Sequence, residues 1–341
     1  MLATESEPEG QAQRSNPAEL ILNSQLKKGF SIFNYRKMKR TILLMVVLAI
    51  TLAAVAQKSL VVGTYNIRLF TTSDEQQGEI WRTRCKVICD QMNFEAPDAF
   101  GAQEVTHPQL LDMLQMLDGY DYTGVGRDDG KEAGEYSCIF YKKDRMRLLD
   151  SGTFWLSETP EQVSFGWDAA CRRVCSWGKF KMRKGGLTFY FFNLHMDHIG
   201  VIARREAAKL VVERIRTIAK GAPVILTGDF NVDQTNEIFR TFSDSGILCD
   251  SYAFARQRFA ENGTYIAFDP NLKTEQRIDH IFVSPRFKVE HYGILTNGYW
   301  TPTADSVDQS ATANGPTELR VKQYRHRTPS DHYPVIAKLT Y

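Results

Sequence analysis

Three scarcities bound what this 341-residue chain can be. Cysteine is sparse: Cys85, Cys89, Cys138, Cys171, Cys175 and Cys249, with no Cys-x-x-Cys pair among them. Structural zinc sites are built from such closely spaced pairs, so their absence argues against one. Three of the cysteines lie in apolar stretches, where a free thiol packs as a small hydrophobe, and Cys85 and Cys89 share a predicted helix face that bridges poorly. Excess charge is missing too. Lys and Arg number 42 against 40 Asp and Glu, and beyond residue 56 the balance is 35 against 36. Non-specific coating of nucleic acid needs a basic surplus on one face. Only local runs exist here, at Arg172-Arg173 and from Arg320 to Arg327, and the second reads as solvated surface. Long apolar runs are nearly absent as well. The single one, Thr41 to Val55, is too short and wrongly flanked for a stable membrane span.

That run has its own meaning. Met38-Lys39-Arg40 is a basic n-region, Thr41 to Val55 an apolar core, and Ala54-Val55-Ala56 a small-x-small cleavage site ahead of Gln57. This is the pattern of a secretory signal peptide over residues 38–56, and it places the protein in the secreted or periplasmic compartment. No cysteine follows at the cleavage point, so a bacterial lipid anchor is not expected. A signal peptide begins at its start codon, so Met38 reads as the start. Residues 1–37, polar and aperiodic, read as an upstream extension, disordered if translated.

Residues 57–341 show no linker, repeat or low-complexity tract and read as one domain. Strands are expected at Leu60–Arg68, Ala99–Ala102, Ser137–Tyr141, Arg147–Leu156, Val174–Met182, Thr188–His195, Pro223–Thr227, Arg277–Val283, Lys288–Tyr292 and Val335–Thr340. Helical spacing marks Gly78–Asn93, Pro108–Leu117 (with Leu110, Leu111, Leu114 and Leu117 inward) and Val201–Lys220, which Gly221-Ala222-Pro223 stops. Two runs of helices followed by strands suit an α/β fold of two packed mixed sheets with helices outside, a four-layer α/β/β/α sandwich. Thr301 to Pro329 is the one long polar loop, and it leads into Ser330-Asp331-His332, so it reads as part of a substrate wall.

Six polar clusters end or interrupt these strands: Tyr65-Asn66, Gln103-Glu104, Asn193-Leu194-His195, Gly228-Asp229-Phe230-Asn231, Arg277-Ile278-Asp279-His280 and Ser330-Asp331-His332. Strand ends bearing carboxylates, amides and histidines are how a sheet gathers a hard-cation site from distant segments. Oxygen ligands suit Mg²⁺, which keeps several waters and binds through few protein groups plus a phosphate. Histidines beside it move protons or hold phosphoryl oxygens. The set reads as metal-assisted hydrolysis of a phosphate ester. Asp229 and Asn231 flank Phe230, so in a strand they share one face.

In order and spacing, TYN, QE, NLH, GDFN, IDHIF and SDH resemble the motif set of the endonuclease/exonuclease/phosphatase superfamily, the deoxyribonuclease-I-like fold, over roughly residues 60–341. GEYSCIFY (134–141), FWLSETPE (154–161) and RVCSW (173–177) resemble a secreted bacterial branch near the nocturnin-like and deadenylase exonucleases. The resemblance implies Mg²⁺ (or Mn²⁺) held by Glu104, Asn66 and Asp331. It implies that Asp229 aligns or deprotonates water, with Asn231 donating to phosphate or to Asp229. It pairs Asp279 with His332, which acts as a base or, where Asp229 handles water, as a clamp on the phosphate. His195 would protonate the leaving oxygen or bind phosphate, with Asn193 beside it, and Arg173 would bind phosphate, held by Glu135. Asp197 and His198 lie behind these, and His280 is structural.

The activity expected first is an Mg²⁺-dependent phosphodiesterase or exonuclease; a phosphomonoesterase or a sphingomyelinase-like hydrolase of phospholipid head groups is the alternative. Expected partners are therefore phosphate-ester substrates (nucleic acid, nucleotide or phospholipid head group), with no membrane span and no protein partner. An aromatic membrane hairpin has no counterpart beyond the lone Trp300. A calcineurin-like two-metal phosphatase would need GNH and GHxH settings, and the seven histidines do not supply them. A non-catalytic binding module is disfavoured because every catalytic position carries a competent residue.

Overall fold

The computed structural model describes residues 58–303 and 324–341 throughout, with scattered positions elsewhere (18, 21, 22, 25, 37–39, 41, 308–310, 318 and 320–322). The chain divides into Met1–Gln57 and Lys58–Tyr341. Apart from Met38, Lys39 and Thr41, the expected signal segment lies outside the described residues. No helix of the described residues is long and apolar enough to cross a membrane. All six cysteines are free.

In chain order the elements are β1 (Ser59–Asn66), α1 (Thr72–Gln76), α2 (Trp81–Glu95), β2 (Ala99–Val105), α3 (His107–Met116), β3 (Tyr120–Thr123), β4 (Tyr136–Lys142), β5 (Met146–Trp155), β6 (Val174–Met182) and β7 (Thr188–His195). Then come α4 (Val201–Ala219), β8 (Val224–Asp229), α5 (Glu237–Ser243), β9 (Cys249–Asp250), α6 (Ser251–Phe254), β10 (Gln257–Phe259), β11 (Asp279–Val283) and β12 (Lys288–Ile294). The last strands are β13 (Tyr299–Pro302), β14 (Asp308–Ser310), β15 (Arg320–Lys322), β16 (Tyr324–Arg327) and β17 (Val335–Thr340). One sheet has the order β10-β12-β17-β1-β2-β4-β3, the other β5-β6-β7-β8-β11-β9. Both are mixed: β1/β2, β10/β12 and β7/β8 pair parallel and the remaining neighbours antiparallel.

Strand alternation divides the apolar side chains into three layers of core. Leu60 and Val62 of β1, Phe189 and Phe191 of β7, Ile225 of β8 and Ile281 of β11 pack between the sheets. On the opposite face of the first sheet Tyr65, Phe100 and Phe140 pack with Ile88, Met92 and Met113 of α2 and α3. On the other side Tyr190, Phe192 and Leu226 pack with Val211 and Ile215 of α4 and Phe239 of α5. Helices thus cover the outer face of each sheet, and the expected four-layer α/β/β/α sandwich is the observed one. In α3 the inward set shifts: Leu111 is 46% exposed, while Met113 is buried.

The same parity builds the polar end of the sandwich. Along the inner face β1 runs Leu60, Val62, Thr64, Asn66; β7 runs Phe189, Phe191, Asn193, His195; β8 runs Ile225, Thr227, Asp229. Each is apolar at one end and polar at the other, and the polar ends coincide because β7 and β8 are parallel and in register from Tyr190↔Val224 to His195↔Asp229. Gly101 of β2 admits this seam: a Cβ there would lie 2.2 Å from Asn193 Oδ1. Gly228 serves β8 likewise, since its Cβ would meet the Leu194 carbonyl at 2.3 Å.

The expected polar loop from Thr301 to Pro329 is instead the site of two antiparallel ladders, β13 with β16 and β14 with β15. Ladders depend on pairing across long sequence separation, which composition does not reveal. Arg327 anchors the base of the outer ladder to the Glu79 carboxylate. No described residue of this segment lines the pocket described below, and the rest of the expected substrate wall (304–307, 311–317, 319 and 323) lies outside the described residues.

His280 points from β11 to the helix side, among the rings of Phe230, Phe239 and Phe282. Its Nε2 lies 2.9 Å from the Val232 carbonyl, to which it donates. Burial, then Arg277, pushes its pKa down to about 3. An unfolded chain protonates this imidazole below its ordinary 6.5 while the folded one does not, so the stability it supports is complete above that pH and lost on acidification toward 3. Between pH 7 and 5, wild type should lose about 2 kcal/mol of unfolding free energy more than His280→Phe does. Urea titrations of both at the two pH values measure the difference; equal losses would refute the assignment.

Candidate active site

Glu104 reaches the site against strand parity. Alternation would send it to the helix face with Phe100 and Ala102, but the register shifts between Ala102 and Val105, and Glu104 takes a left-handed backbone with φ of 62°. A bulge of this kind re-aims a side chain at a cost of order 1–2 kcal/mol for a non-glycine residue. The carboxylate accepts hydrogen bonds from Asn66 Nδ2 at 2.9 Å and from the Leu69 N–H at 3.0 Å.

Asn66 is fully buried and ties the two sheets together. Its Nδ2 also donates to Asp229 Oδ2 at 3.0 Å and lies 3.5 Å from His332 Nε2. Its oxygen accepts the Arg68 N–H at 3.0 Å. The amide group therefore sits between two carboxylates as a donor, and its oxygen keeps a second lone pair beside the bond from the Arg68 N–H.

Arg84 of α2 holds the exits of two site-bearing segments. It has no exposed surface and donates to the carbonyls of Glu79 (3.2 Å), Ile67 (2.8 Å), Arg68 (3.3 Å) and Pro329 (3.0 Å). Ser330 adds a 2.7 Å bond from Oγ to the Asn66 carbonyl. The turn after Asn66 and the segment delivering Asp331 and His332 are thus fixed to each other.

Asp279 and His332 pair, Oδ2 to Nδ1, at 2.8 Å. Burial pulls the His332 pKa down, but the charge and hydrogen bond of Asp279, with Asp229 and Asp331 beyond, outweigh it and hold the ring cationic well above its usual value. His195 is the opposite case. Burial, then Arg173 and Arg127, drive its pKa well below normal and keep it neutral. Its Nε2 lies 3.4 Å from Asp229 Oδ2, and its Nδ1 is buried without a partner. Asp229 is pushed up to about 7 by burial and by Asp279, against the pull of His332 and Asn66. Asp331 is raised by burial and by Glu104, against His332 and Arg68.

Asn231 reaches the pocket by a turn rather than along a strand. β8 ends at Asp229, Asn231 has φ of 50°, and its N–H donates to Asp229 Oδ1 at 2.9 Å. Its side-chain amide donates to the Met196 carbonyl at 3.0 Å, not to Asp229. Arg173 is only 5% exposed, with Nε and Nη1 free of hydrogen bonds. It lies 3.5 Å from Asp197 and 4.0 Å from Glu135, while its Nη2 lies 3.0 Å from His198 Nδ1. Asp197 is held down to about 2 against its burial, chiefly by N–H donors that include Gly200 and Ile199, and it staples the entry to α4. Glu135 is gripped in a two-pronged ion pair by Arg127, at 2.6 and 2.8 Å, with Arg173 a looser second partner at 4.0 Å.

Glu104, Arg127, Glu135, Arg173, His195, His198, Asp229, Asn231, Asp331 and His332 line one cavity of about 500 Å³, together with Arg68, Leu69, Cys171, Tyr265 and Ile278, whereas Asn66, Asp197 and Asp279 are not part of the lining. Arg127, Arg68 and Tyr265 escaped the sequence reading because no motif carries them. Only the position of Arg127 ahead of GEYSCIFY hinted at it. Asn193 is corrected: it does not line the cavity. It accepts from Gln103 (2.7 Å) and Thr227 (3.0 Å) and donates to the carbonyls of Ala102 (3.0 Å) and Cys138 (2.8 Å). Both donors and both lone pairs are spent, so it bridges the sheets and has nothing left for a substrate.

The acids fit a divalent cation. Glu104, Asp229 and Asp331 face one cavity, two of them with pKa raised by burial and neighbouring acids, and Asp279 Oδ1 is buried without a partner. Crowded carboxylates of this kind are what a bound cation relieves.

A sequence model of the Endonuclease/Exonuclease/phosphatase family matches residues 63–332, a span that contains every cluster gathered here. The chain belongs to this family. Its members are hydrolases of phosphate esters, and so is this protein. Among solved structures, an endonuclease/exonuclease/phosphatase family protein from Bacteroides thetaiotaomicron is 48% identical with a TM-score of 0.77, covering 84% of this chain and 98% of that one. A mannosyl-6-phosphatase from the same organism is 48% identical with a TM-score of 0.76, covering 83% and 100%. Among curated relatives, nocturnin of Drosophila melanogaster is 25% identical over 294 residues and that of Xenopus laevis 23% over 275. The chain spans 41% and 65% of their lengths.

Because Asn193 acts between the sheets, Asn193→Ala should destabilise this family member by about 2–4 kcal/mol, as expected when a buried polar network loses one partner. Its effect on KM should be small beside that loss. Denaturation and steady-state kinetics on the same preparation measure both; a large rise in KM with unchanged stability would restore the substrate-binding role.

Proposed function

We propose that this enzyme is a divalent-metal-dependent phosphomonoesterase acting on a sugar phosphate outside the cytoplasm. The observation that carries the reading is the set of cationic side chains on the cavity wall. Arg68, Arg127, Arg173 and His332 line it together. A monoester phosphate carries about one negative charge more than a diester and gains more from such donors. The 48% identity to a mannosyl-6-phosphatase supports the same choice over the phosphodiesterase expected first.

Glu104 and Asp331, with Asp229 adjoining, would hold the cation, Mg²⁺ or Mn²⁺, and Asn66 would keep Glu104 and Asp229 in place. When bound, the metal supplies charge neutralisation for the phosphoryl group. Asp229 aligns the attacking water and takes its proton; a carboxyl near 7 exchanges protons at neutral pH. His332, held cationic by Asp279, stabilises charge building on the phosphoryl oxygens. His195, kept neutral, binds the phosphoryl group; as the water oxygen bonds to phosphorus the ester P–O bond breaks, and the departing sugar oxygen takes a proton from solvent water. Arg173 grips a terminal oxygen, and Asn231 closes the turn that orients Asp229.

Hydrolysis should vanish in EDTA and return with Mg²⁺ or Mn²⁺. Asp229→Asn and His332→Ala should each lower kcat about 10²-fold or more with the fold unchanged by circular dichroism. Hexose 6-phosphates should be cleaved in preference to RNA, DNA, nucleotides and phospholipids in a parallel panel. Activity that persists in chelator with metal verified absent, near-wild-type turnover of either variant, or a preference for oligonucleotides each refutes the corresponding part.

The compartment rests on residues 38–56. Expression in a bacterial host should yield an exported form whose N-terminus lies near Gln57 by mass spectrometry. A cytosolic protein retaining residues 38–56 would overturn the export reading and the extracellular substrate with it.

A further inference from the structure

Tyr265 is the aromatic group of the cavity lining that the chemistry above does not use. It is 46% exposed, lines the same cavity, and stands edge-to-face to the His332 ring, with centroids 5.1 Å apart and planes at 68°. No hydrogen bond engages its hydroxyl among the described residues, so the fold has not committed this side chain elsewhere.

Its backbone is fixed. Tyr265 forms an antiparallel bridge with His332. Tyr333 donates to the Thr264 carbonyl at 2.7 Å, and Ile266 donates to the Asp331 carbonyl at 2.8 Å. Thr264, fully buried, accepts the N–H groups of Ile278 and Asp279 at 2.9 and 3.1 Å, and Ile266 is buried in the core between the sheets. The ring therefore projects from a segment tied on one side to the Asp331-His332 strand entry and on the other to Ile278-Asp279. An exposed aromatic on a rigid backbone gives contact area at little ordering cost.

We propose that Tyr265, flanked by the cavity residues Leu69 and Ile278, is the specificity-determining platform on which the C–H face of the substrate's sugar ring stacks. The inference rests on the phosphomonoesterase reading for the phosphate and adds recognition of the leaving group. The carboxylates, histidines and arginines of the cavity address the phosphoryl group; Tyr265, Leu69 and Ile278 supply the apolar surface that a ring needs and a bare phosphate does not.

The test compares hexose 6-phosphate with glycerol phosphate, which has the ester but no ring, in wild type, Tyr265→Ala, Tyr265→Leu and Tyr265→Phe. The ratio of kcat/KM for hexose over glycerol phosphate should fall about tenfold in Tyr265→Ala, mainly through KM, as loss of a ring contact implies. Tyr265→Phe should stay within about threefold of wild type, because the ring and not the hydroxyl carries the contact. Thermal unfolding checks that each variant folds, and Tyr265→Leu substitutes if alanine does not. An unchanged ratio in the alanine or leucine variant, or an equal fall in phenylalanine, overturns the platform while leaving the monoesterase reading intact. A wild-type enzyme that prefers nucleotide monophosphates to hexose phosphates overturns the sugar assignment. One that cleaves diesters in place of monoesters overturns the underlying reading, and the platform with it.

Discussion

The hydrogen-bonded contact between the two sheets at their polar ends is the constraint on which the site depends. Two sheets packed through apolar residues would slide with little penalty, since hydrophobic contact is non-directional. Here Asn66 joins Glu104 of one sheet to Asp229 of the other, and Asn193 joins Gln103 and two carbonyls of one sheet to Thr227 beside it. Each of these groups is buried, so an unmade bond costs roughly 1–3 kcal/mol. The register between the sheets is set by that penalty, and the reacting groups inherit their spacing from it.

Electrostatics then sorts chemically similar side chains into different roles. His195 and His332 both stand at strand ends or entries beside Asp229, at 3.4 and 3.8 Å. One faces two arginines and stays neutral; the other is bonded to a carboxylate and stays charged. The acids divide similarly. Asp197 is surrounded by N–H donors and sits far below the usual carboxylate range, whereas Asp229 has another acid for a neighbour and sits above it. Residue type alone carries none of this, and for His195, His332 and Asp229 the decisive partners are distant in sequence.

Strain and tight approach appear where the seam and the site meet. Glu104 accepts an unfavourable backbone so that a bulge delivers its carboxylate to the cavity side. Gly101 and Gly228 let neighbouring groups approach within distances that no Cβ tolerates. Arg84, satisfied wholly by carbonyl oxygens, braces the turn after Asn66 against Pro329. These features place the functional groups to within hydrogen-bonding distance, which is the precision that transition-state stabilisation demands.

The sequence by itself determined the sandwich and the chain positions of the chemistry. Period-two runs such as Phe189 to His195 and helical runs such as Val201 to Lys220 encode their elements locally, and parity alone places Asn66, His195, Asp229 and Asp279 on the inner face. Only the tertiary structure decided what those residues touch. It removed Asn193 from the cavity by spending all its hydrogen bonds, brought in Arg127, Arg68 and Tyr265 from segments without a motif, and gave Glu135 to Arg127. It turned a polar stretch after Thr301 into paired strands. The reason is one of reach: propensity and periodicity act between near neighbours, whereas hydrogen-bond saturation, burial and charge are settled by groups from eight (Arg127 and Glu135) to ninety (Gln103 and Asn193) residues apart or more.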